Sequence, residues 1–441
     1  MSYTTTPFLR MMLAGMTILA LSFQSLRAQN GDSEEVAVDK KYGKEVSSIA
    51  KNKKVQTALQ AIQNTEDKAL ENLITLTEIP APPFKEEKRA AKYAEMLKQY
   101  GADSVWIDEE GNAIGLRKGK SSDKTVVLEA HLDTVFPEET DVTVKQKGDT
   151  LFAPGIVDDT RGLAMVLAVL QAMEENDIET ESDVLFIGTV GEEGLGDLRG
   201  VKYLFREGGP QIDSYIAVDG GGLDRITHVG LGSHRYKITY VGPGGHSWGA
   251  FGLVNPHHAL GKAITYFSEA ADEFTKEGPR TSYNVGVIGG GTSVNAIPFE
   301  SWMQVDMRSE SPEKLEGIDK LLQDAVQKAL KEENAVKRSG PDLEVKVEMI
   351  GDRPSGKLPA DLALVQRAIA ATQQFGGKPN LRTGSTNSNT PISKGVPAVT
   401  IGAGGDGGKA HSLDEWYLPK DSYLATQRTL VLLLAEAGFA K

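Results

Sequence analysis

Four short segments limit the fold of this chain more than any other feature: Thr125–Ala130, Val184–Val190, Tyr215–Val218 and Pro397–Ile401. Each is a nearly continuous apolar run. A strand with one face in water alternates apolar and polar side chains, so an unbroken run marks a strand covered on both faces. Helical patterns stand between them, of which Arg161–Glu175 is the most apolar. Buried strands alternating with helices build a mostly parallel sheet with helices on both sides, an α/β fold. Apolar residues recur at helical spacing in Val55–Thr77 and again in Phe84–Tyr100. Ser104–Arg117 alternates about Glu110-Gly111-Asn112 and reads as a hairpin.

One stretch follows a different order. Strand (Arg235–Val241), helix (Pro256–Glu273), two strands (Ser282–Ile288, Phe299–Arg308) and helix (Pro312–Glu332) lead to a strand at Leu343–Ile350. This βαββαβ order predicts a ferredoxin-like α+β module. We read residues 232–342 as that module, inserted into a discontinuous domain of residues 55–231 and 343–441. The amino terminus has its own pattern: Arg10, the apolar run Met11–Phe23, then Leu26-Arg27-Ala28. A basic start, a short apolar run and a small final residue predict a secretory signal over residues 1–28, and hence a secreted or periplasmic protein, with an uncleaved anchor as the alternative. Residues 29–54 are polar and are expected to form a loose arm. No second long apolar run follows, so no membrane association is expected after signal removal.

The chemistry-bearing residues follow the buried strands. His131-Leu132-Asp133, Glu192-Glu193 and Asp219 each come directly after one. Asp158-Asp159 precedes the apolar helix, and His411 follows the last strand through the glycine-rich stretch Gly402–Gly408. In open α/β sheets, ligands bind outside these carboxyl ends. Each cluster alone has a plain structural reading: a surface histidine, a solvated acidic turn, a helix cap. Together at one sheet edge, the carboxylates would repel one another unless a cation neutralised them. The chain has no cysteine, which excludes a thiol nucleophile, iron–sulfur clusters and cysteine-type zinc fingers. Histidine and carboxylate ligands suit Zn²⁺, with Mn²⁺ or Co²⁺ as alternatives. The net charge of −13 argues against nucleic acid as a partner.

The order of these residues also carries a resemblance. H-x-D at His131–Asp133, G-x-x-D-D at Gly155–Asp159, E-E at Glu192-Glu193, D-G at Asp219-Gly220, an inserted module and H-S at His411-Ser412 together resemble the dinuclear zinc metallohydrolases. That family includes peptidase T, aminoacylase and succinyl-diaminopimelate desuccinylase, and the resemblance spans about residues 55–441. It implies a zinc-exopeptidase-like catalytic domain, with the inserted module as lid and dimerisation domain of a homodimer. It also implies two divalent metal ions bridged by Asp158, with His131 and Asp219 on one ion and Glu193 and His411 on the other. Asp133 would orient His131, and Glu192 would be the catalytic general base. His246, in Gly244-Gly245-His246-Ser247, would stabilise a developing oxyanion from the lid or from a partner subunit. Asn295 and Arg308 match lid positions that bind substrate, and Arg308 could grip a carboxylate bidentately. The Gly402–Gly408 loop could offer backbone N–H groups to a carboxylate or an amide. Peptidase T-like cleavage of short peptides is the expected activity. Deacylation of N-acyl amino acids is the alternative, since both present an amide to the same centre. Two positions depart from the family: Thr160, where many relatives have Lys, and Asn387, where many have Asp.

Three other readings compete. Gly245-His246-Ser247-Trp248-Gly249 matches the nucleophile elbow G-x-S-x-G, but no strand leads straight into Ser247 and no helix follows at once. Gly194-Leu195-Gly196-Asp197-Leu198-Arg199-Gly200 imitates a dinucleotide fingerprint without its third glycine spacing. A non-catalytic binding protein on the same fold should have lost a ligand or the base, and none is missing.

Overall fold

The computed structural model describes residues 38–121 and 123–440. The apolar segments lie side by side: Asp183–Thr189, Thr125–His131, Ser214–Val218 and Ala398–Ile401 are consecutive neighbours in one sheet and run parallel. Antiparallel strands extend this core on either side. Ala113–Arg117 pairs with Asp183–Thr189 and turns back into Ser104–Ile107. The hairpin turn is held by one carboxylate, Asp108 Oδ1, which accepts the backbone N–H groups of Glu110, Gly111 and Asn112 at 2.9–3.0 Å. On the far side Arg225–Gly230 runs antiparallel to Ala398–Ile401 and pairs in turn with Gly356–Lys357 and Asn380–Gly384.

Helices cover the sheet. Arg161–Glu175 and Tyr423–Ala437 are buried along most of their length, as helices apolar on nearly every side must be. Lys53–Asn64, Glu66–Thr77 and Glu87–Gln99 account for the other two helical patterns. The expected loose arm is not loose where it is described. Lys40–Ala50 is a helix capped by Asp39, and Tyr42, Val46 and Ala50 are buried. Three apolar residues four positions apart make a narrow stripe that a polar composition conceals. Glu45 on the same helix receives both a 3.0 Å and a 2.9 Å hydrogen bond from Arg367. The signal-peptide reading of residues 1–28 lies outside the described residues. A second small sheet, Asp406–Gly408, Trp416–Leu418, Thr150–Phe152 and Lys145–Lys147, was not expected. Strands of three residues are too short to show a period.

The inserted module is a four-stranded antiparallel sheet in the order Thr281–Gly290, Glu300–Ser309, Gly232–Val241, Glu344–Arg353. Helices Pro256–Phe274 and Pro312–Ala335 pack across its central strands. Both helices begin alike. Asn255 and Ser311 accept first-turn N–H groups at 2.9 and 3.2 Å, and proline follows at the first helical position. Alternation along Glu300–Ser309 turns Met303, Val305 and Met307 inward, where they join Leu260, Phe267 and Leu322 in a separate core. The module extends further than residue 342. Glu344–Arg353 pairs with Gly232–Val241 along its length and covers an edge that would otherwise be open.

Candidate metal centre

Each strand delivers its residue to the same edge. His131 ends Thr125–His131, and Asp219 directly follows Ser214–Val218. Glu192 and Glu193 come three and four residues after Asp183–Thr189. Asp158 lies on the irregular turn Ile156–Thr160 that precedes Arg161–Glu175. His411 lies on the loop between Asp406–Gly408 and Trp416–Leu418.

The structure brings all of these residues together. Asp158 sits between two imidazoles, with Oδ1 3.0 Å from His131 Nε2 and Oδ2 3.1 Å from His411 Nε2. Glu193 Oε1 is 2.8 Å from the same His411 nitrogen. Potential ligand atoms of His131, Asp158 and Asp219 all lie within 4.8 Å of one another, as do those of Asp158, Glu193 and His411. His131, Glu192 and Glu193 form a third such group. Asp133 is fully buried and accepts the backbone N–H groups of Glu192 and Glu193 at 2.9 and 2.7 Å. Its hold on His131 comes mainly through its carbonyl oxygen, 3.0 Å from Nδ1, since its carboxylate is 3.6 Å away.

Protonation follows the crowding of charge. Burial pushes the Glu192 carboxyl up to about 8, against the pull of Arg353. Burial and then Asp158 raise Asp219. Asp158 is desolvated too, but hydrogen bonds from His131 and His411 hold it below the ordinary carboxylate range. His411 is pushed up to about 10 by Asp158 and Glu193. Burial disfavours charged His131, yet Asp133 and Asp158 outweigh it and raise its pKa. An anionic cluster with only protons to neutralise it behaves in this way. Asp219 gives the most direct sign of a missing counter-charge. Its carboxylate accepts no hydrogen bond among the described residues, and Arg225 Nη2 is 3.9 Å away. Imidazole and carboxylate donors without sulfur fit divalent cations.

Sequence reasoning missed two supports. Arg353 ends the last strand of the inserted module and is almost fully buried. Its Nη1 donates to Glu192 Oε1 at 3.0 Å and to Ser385 Oγ at 3.2 Å, and its Nη2 donates to the Glu192 carbonyl. Nothing in a motif marks a lone arginine at a strand end. Glu415, four residues after His411, accepts the N–H groups of Gly155, Val157 and Asp158 at 2.8–3.0 Å and so fixes the turn that carries Asp158. Its place in His411-Ser412-Leu413-Asp414-Glu415 was a signal that proximity to His411 could have given. The two departures have structural roles. Thr160 Oγ1 caps the Gly155 carbonyl at 2.6 Å. Asn387 Nδ2 donates to Thr189 Oγ1 at 2.8 Å and to buried Glu129 at 3.3 Å, so an Asp there would face another carboxylate.

The lid candidates divide. His246 and Asn295 are neighbours: Gly245–His246 pairs with Ala296–Ile297, and Ser247 N donates to the Asn295 carbonyl at 2.9 Å. No hydrogen bond or ion pair joins either to the acidic cluster among the described residues. Arg308 lies near the other end of Glu300–Ser309, about 26 Å further along at 3.3 Å per residue. Arg308 Nε and Arg235 Nε share Asp306 at 2.8 Å each, and Arg235 Nη1 reaches the Gly194 carbonyl at 3.2 Å. Ser247 is followed by turns, and the next helix begins only at Pro256, so the elbow geometry is absent.

Known proteins are similar to this chain in sequence and fold. The uncharacterised protein YqjE of Bacillus subtilis is 27% identical over 85% of this chain and 99% of its own length. Succinyl-diaminopimelate desuccinylase of Corynebacterium glutamicum is 25% identical over 77% of this chain and 89% of its own. The crystal structure of a tripeptidase from Staphylococcus aureus has the same fold, with a TM-score of 0.68 at 23% identity over 84% of this chain and 99% of that one. The model of Peptidase family M20/M25/M40 matches residues 127–436, from the strand that ends in His131 to the last helix. The chain therefore belongs to peptidase family M20/M25/M40 and is a metal-dependent peptidase or amidohydrolase.

Proposed function

We propose that the protein is a secreted or periplasmic exopeptidase that cleaves short peptides with two divalent ions, Zn²⁺ before Mn²⁺ or Co²⁺. The observation that carries this reading is the Asp158 carboxylate, with one oxygen facing His131 and the other facing His411. In this reading His131 and Asp219 would hold one ion, Glu193 and His411 would hold the other, and Asp158 would serve both. Bound there, the ions supply Lewis-acid activation of the amide carbonyl and of the attacking water. Glu192 would take a proton from the attacking water and return it to the leaving amine. Arg353 keeps the Glu192 carboxylate in one orientation, and Asp133 fixes the backbone beneath it. The likeness to a tripeptidase structure supports peptides as substrates.

The inserted module is read as lid and dimerisation domain. Arg308 stands on the side nearer its own Gly194, while His246 and Asn295 stand at the far end. This separation supports a homodimer in which His246 and Asn295 serve the opposite subunit's site. An active monomer in solution would refute that placement. The substrate reading is tested with metal-loaded protein on free dipeptides and tripeptides, N-blocked and C-blocked peptides, and N-acyl amino acids. Free short peptides are expected to be cleaved from one end. Turnover confined to N-acyl amino acids would replace the exopeptidase with a deacylase. Inertness towards every amide would overturn both.

A further inference from the structure

A pocket of about 400 Å³ opens beside Asp158 and Asp219, with neither Glu192 nor Glu193 in its wall. Its sides are two glycine-rich turns, residues 220–222 and 405–408. Gly220, Gly222 and Gly405 take the left-handed backbone conformation that favours glycine. A Cβ on Gly220 would lie 2.8 Å from Arg225 Nη1, and one on Gly407 would lie 2.7 Å from Val157 Cγ2. These stretches therefore present backbone to an incoming group.

The charged residues of the pocket are Asp158, Asp219, Asp406 and Arg225. Asp158 and Asp219 are the proposed metal ligands, and their charge is matched when the ions are bound. Arg225 opens the strand Arg225–Gly230, and its side chain is 31% exposed. Among the described residues its guanidinium makes no hydrogen bond, and its ionic neighbour Asp219 is 3.9 Å away, beyond hydrogen-bond reach. A guanidinium carries five N–H donors in a rigid fork suited to a carboxylate. Here the fork lies against a backbone wall, next to the centre where the amide must sit. The volume suits one side chain or one short acyl group, towards the small end of ligand pockets.

We propose that Arg225 and this glycine-walled pocket bind a second carboxylate of the substrate, so that the preferred amides carry an acidic residue or a dicarboxylic acyl group beside the scissile bond. The proposal rests on the amide-hydrolase reading of the adjoining centre. Asp406 is exposed in the same pocket and opposes an anion there, so its removal should strengthen the effect.

The test compares matched substrates that differ only in a carboxylate or a carboxamide, glutamyl against glutaminyl and succinyl against succinamoyl, on the full metal-loaded enzyme. The wild type should favour the carboxylate member by at least about tenfold in kcat/KM, the worth of one charge-assisted hydrogen bond. Arg225→Gln should lose most of that preference, Arg225→Lys should keep part of it, and Asp406→Asn should widen it. Metal content, measured on each variant, should stay at the wild-type level. A wild type indifferent to the carboxylate, or a preference that survives in Arg225→Gln, overturns the proposal. Calorimetric binding of glutarate against glutaramate separates the pocket from the hydrolase reading, because it needs no turnover. Glutarate bound more tightly by the wild type, and no more tightly than glutaramate by Arg225→Gln, supports the pocket even in a protein that cleaves no amide. Equal binding of the two by the wild type overturns it.

Discussion

Arg353 offers the sharpest test of how the site is held. Replacing it with methionine keeps most of the volume and removes the charge and all three polar contacts to Glu192 and Ser385. Both partners of the ion pair are 7% exposed. Removing one member of such a buried pair costs about 3–5 kcal/mol of stability, and cations at the adjoining cluster should keep the cost towards the low end. Activity should suffer separately. One charge-assisted hydrogen bond contributes about 1.5–3 kcal/mol, and its loss from the transition state lowers turnover about 10- to 150-fold at 1.36 kcal/mol per decade. Because Arg353 orients Glu192 and does not touch the substrate, the fall should appear in kcat, with KM nearly unchanged. Arg353→Lys should recover part of the rate, since it keeps the charge but cannot serve the carboxylate and the carbonyl at once. Steady-state kinetics on the best peptide, with metal content and melting temperature measured in parallel, provide the assay. A folded, metal-replete Arg353→Met enzyme within about threefold of wild-type kcat would refute the positioning argument.

Three further outcomes are expected. Glu192→Gln should retain both metals and lose at least about 100-fold in kcat, because it removes proton transfer and leaves the ligands intact; loss of metal instead would mean that Glu192 and Glu193 had exchanged roles. Chelation should abolish activity reversibly, and Asp158→Asn should lower the occupancy of both ions by elemental analysis, whereas a loss of one alone would rule out a shared ligand. His234 Nδ1 lies 2.7 Å from Asp319 Oδ2, and this hydrogen bond, helped by Asp352 at 3.6 Å, raises its pKa above 6.5. A histidine with a raised folded-state pKa stabilises fully below its unfolded value and loses that contribution as pH rises through the folded one. The melting-temperature advantage of wild type over His234→Gln should therefore shrink as the pH rises above the ordinary histidine value of about 6.5, and a gap independent of pH would count against it.

Much of this architecture could be read from residue patterns. The unbroken apolar runs announced the parallel core, because nothing else buries both faces of a four- to seven-residue strand. The alternating strand and helix patterns of the βαββαβ order announced the module's helices. The cluster His131, Asp158, Glu192, Glu193, Asp219 and His411 could be read because each residue adjoins a recognisable element, Asp158 before the apolar helix and the others after buried strands. The omissions share a physical cause. Tyr42, Val46 and Ala50 bury too narrow a stripe to stand out from their polar neighbours. Arg353 and Glu415 act through long-range hydrogen bonds, between residues 161 and 257–260 positions apart, which no local pattern encodes. The module's true end was misplaced because Glu344–Arg353 alternates like any edge strand, and only its partner Gly232–Val241 shows which sheet owns it.

The position of Ala398–Ile401 has a consequence for the birth of the molecule. This strand, made long after both of its neighbours, lies between Ser214–Val218 and Arg225–Gly230. A ribosome delivers residues in order, so the central sheet stays divided until Ala398–Ile401 has emerged. His411 and Glu415 come later still, and the turn bearing Asp158 waits for Glu415. The module is contiguous from Gly232 to Arg353 and has its own apolar core, so it can fold while the larger sheet is unfinished. Nascent chains stalled before residue 398 should yield, on brief proteolysis, a resistant fragment close to residues 232–353 and little else. Through that interval an apolar strand edge stands open, which makes the unfinished catalytic half the natural client of a chaperone.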